Sequence, residues 1–177
     1  MRAMLDACVL YPTVMREVLI GCARAGLYTP LWTARILEEW ARAVARNLPD
    51  EAQTARVEIA LLRAGFPAAE IAPGDLAGLR LPDPDDVHVL AAAISAKAEL
   101  IVTLNRADFP DCALAPFGLR RRDPDLFLLD LHAGDADAVL GVCEDVRRRA
   151  ETLSGEDWPM RRLLKKARLP RLGKALG

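Results

Sequence analysis

Two short stretches of the chain are apolar at every position, Ala3-Met4-Leu5 and Leu100-Ile101-Val102, and each gives way to polar residues at its C-terminal end: Asp6 after the first, Thr103-Leu104-Asn105 after the second. A strand with one wet face alternates apolar and polar residues, whereas a strand apolar on both faces belongs to a parallel sheet covered by helices on both sides. The intervening sequence is helical. Val14, Val18, Leu19 and Cys22 recur at helical spacing between Thr13 and Gly26, and Ile36, Leu37, Trp40 and Val44 form one stripe behind Thr33. A third helical pattern opens at Asp50 and ends near Gly65, and Leu27 to Trp32 reads as a second short strand. Val9-Leu10 extends the first apolar run as far as Tyr11-Pro12. Strands alternating with helices predict an α/β fold.

Composition narrows the partners and the compartment. A chain of 177 residues that is 52% hydrophobic can build one sizeable core with an appendage, not two independent domains. With 24 Lys and Arg against 25 Asp and Glu, it is no cationic coat for nucleic acid. Cys8, Cys22, Cys112 and Cys143 form no CxxC pair and no secretory segment opens the chain, so the expectation is reduced thiols in a soluble cytoplasmic protein. No apolar run reaches the roughly 20 residues of a membrane span. The charge is uneven, however. Residues 1 to 118 hold 11 basic and 15 acidic side chains, residues 119 to 177 hold 13 and 10, and Met160 to Gly177 holds seven basic residues and no acid. After Arg120-Arg121-Arg122 the pattern becomes short helical pieces, Leu126 to Leu131, Ala136 to Ala150 and Met160 to Leu176 broken at Pro170. The expected organisation is an α/β domain over residues 1–125 and a helical, basic extension over 126–177.

Ligands of an open parallel sheet bind beyond the carboxyl ends of its strands, where Asp6 and the Thr103-Asn105 turn both lie. Residues 66 to 82, carrying Pro67, Pro73, Pro82, Gly74 and Gly78, read as an irregular connection that delivers Asp83-Pro84-Asp85-Asp86 to the start of a helix with Val87, Leu90, Ala91 and Ile94 inward. One of these acids, Asp85 foremost, can serve as a helix cap. Acids that converge from separate elements repel one another unless a cation neutralises them. Carboxylate and amide oxygens suit Mg²⁺ or Mn²⁺, while the two histidines have no zinc-ligand spacing, and His88 reads as a surface polar residue.

Four segments, Leu5-Asp6-Ala7-Cys8-Val9-Leu10-Tyr11-Pro12, Ile36-Leu37-Glu38-Glu39-Trp40, Pro82-Asp83-Pro84-Asp85-Asp86-Val87-His88-Val89-Leu90-Ala91 and Ile101-Val102-Thr103-Leu104-Asn105-Arg106-Ala107-Asp108-Phe109-Pro110, resemble those of the PIN-domain nucleases and occur in that family's order. The resemblance implies a three-layer α/β/α fold around a central parallel sheet, with a C-terminal helical extension. It also implies a metal-dependent ribonuclease, most often the VapC-type toxin of a toxin–antitoxin pair, with a cognate antitoxin as partner and a homodimer as assembly. Carried over by motif, the catalytic acids are Asp6, Glu39, Asp86 and Asp108, with Asp6, Asp86 and Glu39 holding Mg²⁺ or Mn²⁺. Asp83, Thr103 and Asn105 support them. Asn105 stands where many family members have another Asp, and Cys8 replaces a common Asn. Helical periodicity leaves Glu38 and Glu39 equivalent, since the two flank the buried stripe on opposite sides; only the motif selects Glu39.

On this reading the acids hold a cation that activates water against an RNA phosphodiester. Arg106, Arg161, Arg162, Lys165 and Lys166 are the candidate RNA contacts. The rival is a non-catalytic module of the same family that binds RNA or a partner protein and keeps the acids as caps and fold elements.

Overall fold

The computed structural model describes all 177 residues, and their contacts group into two compact units, Met1–Tyr11 with Thr29–Arg121 and Pro12–Tyr28 with Arg122–Gly177. The first contains the sheet up to Arg121. Its strands are β1 (Arg2–Leu5), β2 (Thr29–Thr33), β3 (Glu70–Ile71), β4 (Leu100–Val102) and β5 (Arg120–Arg122), in the order β3-β2-β1-β4-β5. The ladders β1–β2, β1–β4 and β2–β3 are all parallel, with Met4 opposite Leu31 on one side and Ile101 on the other. Met4, Leu5, Leu31, Ile101 and Val102 are fully buried, as strands wrapped on both faces require. The α/β fold with a central parallel sheet is the one expected.

The helices of this unit are α1 (Ala7–Leu10), α3 (Ala34–Asn47), α4 (Ala52–Gly65), α5 (Val87–Ser95) and α6 (Asp111–Leu114); α2 (Thr13–Arg24) belongs to the second unit. Thr33 caps α3 by accepting the Ile36 N–H at 3.2 Å, and the helix buries Ile36, Leu37, Trp40 and Val44, the stripe read from periodicity. Val9 and Leu10 do not prolong the strand. The ladder stops when the Asp6 N–H reaches Val102 O at 3.2 Å, and the next four residues turn into α1. The connection over 66–82 is irregular apart from β3, and it lies close on α5: a side chain at Gly74 would meet the Ala91 carbonyl oxygen at 2.1 Å, so only glycine fits there.

In the second unit α2 packs with α7 (Pro124–Gly134) and α8 (Ala136–Ser154), followed by α9 (Met160–Lys166) and α10 (Pro170–Leu176). Gly21 allows the close α2–α8 approach, because a Cβ there would lie 2.4 Å from Val142 Cγ1. Asp123 caps α7 through the Asp125 and Leu126 N–H groups. The basic tail is packed, not free: Leu163, Leu164, Leu169 and Leu172 are buried, while Arg161, Arg162, Lys165 and Lys166 stay exposed. In this grouping α2 goes with the C-terminal helices. No helix is long and apolar enough to cross a membrane.

Candidate active site

Asp6 sits where β1 and β4 run out together. Its backbone is still extended and bonded to β4, so its side chain is delivered to the sheet end with only 6% of its surface exposed. A carboxylate buried that far needs donors. Thr103, the residue after β4, donates its hydroxyl to Asp6 Oδ2 at 2.6 Å, and the Cys8 thiol donates to the same oxygen at 3.1 Å. Behind them, the Leu104 N–H reaches Cys8 Sγ at 3.2 Å and the Asn105 N–H reaches Thr103 Oγ1 at 3.0 Å. Burial, and then the neighbouring Asp6 charge, push the Cys8 thiol up to about 12, so it remains a protonated donor, not a thiolate. All of these side-chain bonds to Asp6 fall on Oδ2, which leaves Oδ1 for a ligand.

The second group comes from one tight turn. Asp83-Pro84-Asp85-Asp86 forms a single 3₁₀ turn running into α5; Asp83 is its cap, accepting the Asp85 N–H at 2.9 Å. The cap is therefore Asp83 and not Asp85, which stays exposed. A 3₁₀ turn has three residues per revolution, so residues three apart lie on one side, and Asp83 meets Asp86. Asp108, from the turn after β4, completes the trio: one carboxylate oxygen from each of Asp83, Asp86 and Asp108 lies within 4.8 Å of the others. Asn105 Nδ2 donates to Asp86 Oδ2 at 3.3 Å. Burial and then the charges of Asp6, Asp83 and Asp108 raise the Asp86 carboxyl to about 6, with His88 opposing them. Negative charge is thus concentrated where four acids from three segments converge, and every donor in the set is oxygen. This set fits a hard divalent cation.

Glu39 is not part of that trio. It projects from α3, and its Oε1 lies 2.9 Å from Arg35 Nε and 3.0 Å from His88 Nε2. Burial works to raise its carboxyl, but His88 and Arg35 outweigh it and hold the group below the ordinary glutamate range. Glu38 faces Arg42 of its own helix and Arg56 of α4. The two glutamates that periodicity left equivalent thus face different partners. His88, expected at the surface, is buried at 7% exposed. Its inward position follows from the register that buries Val89 to Ala93 along the first turns of α5. The other residue that sequence reasoning passed over is Arg35, signalled only by its i, i+4 spacing to Glu39. Arg106 is exposed on the turn between Asn105 and Asp108, while Arg161, Arg162, Lys165 and Lys166 lie on α9 in the second unit.

Comparison with known proteins identifies the family. Over 45 residues, 25% of the chain, the sequence is 56% identical to "Putative ribonuclease VapC50" of Mycobacterium tuberculosis (strain ATCC 25618 / H37Rv), and the matched stretch is 27% of that protein. The match thus spans about a quarter of this curated relative's length. No solved structure matches the chain significantly. The family model of the PIN domain matches residues 2–107, more than half of the chain and nearly all of the acidic constellation, and the chain therefore belongs to the PIN-domain family.

Proposed function

We propose that the protein is a metal-dependent endoribonuclease that hydrolyses RNA phosphodiester bonds, the toxin of a type II toxin–antitoxin pair. The observation that carries this reading is the meeting of Asp83, Asp86 and Asp108 within 4.8 Å at the strand ends, with the charge of Asp6 acting on Asp86. The family match and the partial likeness to a protein named as a ribonuclease support the substrate class.

Asp6, Asp86 and Asp108, with Asp83 beside them and Glu39 at their flank, would hold Mg²⁺ or Mn²⁺, which when bound supplies neutralising charge and the means to activate water and stabilise the phosphate. The chain's own residues fix the rest. Thr103 and Cys8 lock Asp6 in one rotamer by occupying Oδ2, and Asn105 holds Asp86 from the opposite turn. Such locking keeps the acids in place without reorganisation during the reaction. Arg106 offers an exposed cation next to the acids, and single-stranded RNA, with accessible phosphates, is the substrate form that suits an open strand-end site.

The test is cleavage of single-stranded RNA by purified protein. Cleavage that needs Mg²⁺ or Mn²⁺, stops in EDTA and is lost in Asp6→Asn and Asp86→Asn supports the reading; RNA binding without metal-dependent cleavage would establish the non-catalytic module instead. Copurification with the product of the adjacent reading frame tests the antitoxin, and sedimentation of the purified chain tests the homodimer.

A further inference from the structure

The fourth acid of the family motif stands apart from the trio, and two side chains hold it there. Arg35 and His88 both approach Glu39 Oε1, leaving Oε2 uncommitted. Arg35 places a second N–H, at 3.1 Å, on the carbonyl oxygen of Asp85. His88 follows Asp86 by two residues on α5. Helix α3 and the turn that carries Asp83 and Asp86 are therefore tied through one carboxylate, one guanidinium and one imidazole. The imidazole is costly where it is. Neither ring nitrogen makes a hydrogen bond, although Nε2 stands 3.0 Å from Glu39 Oε1, at ion-pair distance. A buried polar atom without an aligned partner loses its hydration uncompensated, and an apolar side chain of similar bulk would fill the site without that loss. What an apolar side chain lacks is a donor beside Glu39.

We infer that His88 is a positioning residue: its buried imidazole, with Arg35, holds the Glu39 carboxylate in register with the Asp83–Asp86 turn, so that the α3 acid serves the same site as the other three. The inference rests on the ribonuclease reading for its activity readout and on metal binding for a second one. A charged oxygen ligand is what a hard cation requires.

A double-mutant cycle tests this, with His88→Leu to remove the donor, His88→Gln to restore one near the position of Nε2, and Glu39→Gln to remove the charge being positioned. Two quantities are read for each protein: kcat and KM for RNA cleavage, and the rise in Tm caused by Mg²⁺ or Mn²⁺. The expected result is a fall in kcat of roughly 10- to 100-fold in His88→Leu, with a smaller change in KM and a reduced metal-induced Tm rise. His88→Gln should recover most of both, and His88→Leu should cost little more once Glu39 is already Gln. A His88→Leu penalty that is undiminished in the Glu39→Gln background, or a lower Tm with an unchanged metal response, overturns the inference and leaves His88 as packing. Should His88→Leu not fold, His88→Asn, whose shorter amide matches Nδ1 and does not reach Glu39, takes its place in the cycle. A wild type that gains Tm with metal but cleaves no RNA refutes the ribonuclease reading while His88 is still decided by the metal response; a wild type that does neither overturns both.

Discussion

At Asp86 folding and function pull in opposite directions. Its carboxyl rises from 3.8 to about 6 through burial and three neighbouring acids, so the folded state binds that proton more tightly than the unfolded chain does. As pH climbs from about 4 to about 6 the unfolded state releases the proton first, and this group's contribution to stability falls across that window. Above it the repulsion is fully expressed. Asp86→Asn removes the charge, and its side-chain oxygen can still accept from Asn105. In EDTA well above pH 6, the variant should melt at the same temperature as wild type or higher, with the advantage vanishing below pH 4. The same variant should lose metal stabilisation, which scales as RT ln(1 + [L]/Kd), and RNA cleavage by about 100-fold or more. Melting curves across pH, with and without Mg²⁺, check both; an Asp86→Asn protein that is less stable than wild type in EDTA at high pH would show that the acids are held by structure and not strained. The glutamate pair gives a second contrast. Glu39→Gln should abolish most cleavage while Glu38→Gln, which frees only Arg42 and Arg56 at the surface, should keep both activity and Tm.

The same logic of satisfying buried charge shapes whole elements. Asp125 lies within α7 at 2% exposed, and it accepts the Arg171 and Leu172 N–H groups, both at 2.9 Å, at the first turn of α10. One buried carboxylate thus caps a helix 46 residues further along the chain. Asp125→Ala strips both bonds and strands two donors, so a loss of about 2–3 kcal/mol is expected, with Asp125→Asn losing less because one oxygen remains; denaturant melts of the two variants measure it. No sequence pattern announces this cap, since it depends on two segments meeting. That is also why α1, β3, α6 and β5 were not legible. Each has four residues or fewer, and elements that short are decided by neighbours, not by periodicity. The triple arginine of β5 reads as surface charge, but as an edge strand it needs no apolar alternation. By contrast β1 and β4, though just as short, were legible through their unbroken apolar runs, and α3 and α5 through apolar stripes carried over two turns or more. At the site Asp6 could be read from position alone, whereas Asp108 came only with the family resemblance. The Asp83–Asp86 pairing required knowing that the turn is 3₁₀, and the burial of His88 required the register of α5.

At the scale of the whole molecule, charge is what separates the two ends of the sequence: acids gather in the site, and the last 18 residues carry seven cations. Removing that tail is a poor test of its role, because its four buried leucines make truncation a loss of core, with Leu→Ala at any one of them costing roughly 2–5 kcal/mol. The cations can be separated from the fold instead. Arg162 and Lys166 lie 5.2 Å and 4.7 Å from the centre of the Trp158 ring and contribute to packing, whereas Arg161 and Lys165 are exposed on the same helix. Arg161→Gln/Lys165→Gln should therefore leave Tm unchanged, and adding Arg162→Gln and Lys166→Gln should lower it slightly through the lost cation–π contacts. If the four cations contact single-stranded RNA phosphates, each one removed lowers the slope of log affinity against log salt by about 0.7, and all four lower it by roughly 3. Binding titrations from low to high salt, made in an Asp86→Asn background so that the RNA stays intact, read that slope directly. A slope unaltered in the fourfold variant would assign α9 to the architecture of its own unit and leave Arg106 as the cation that meets the substrate.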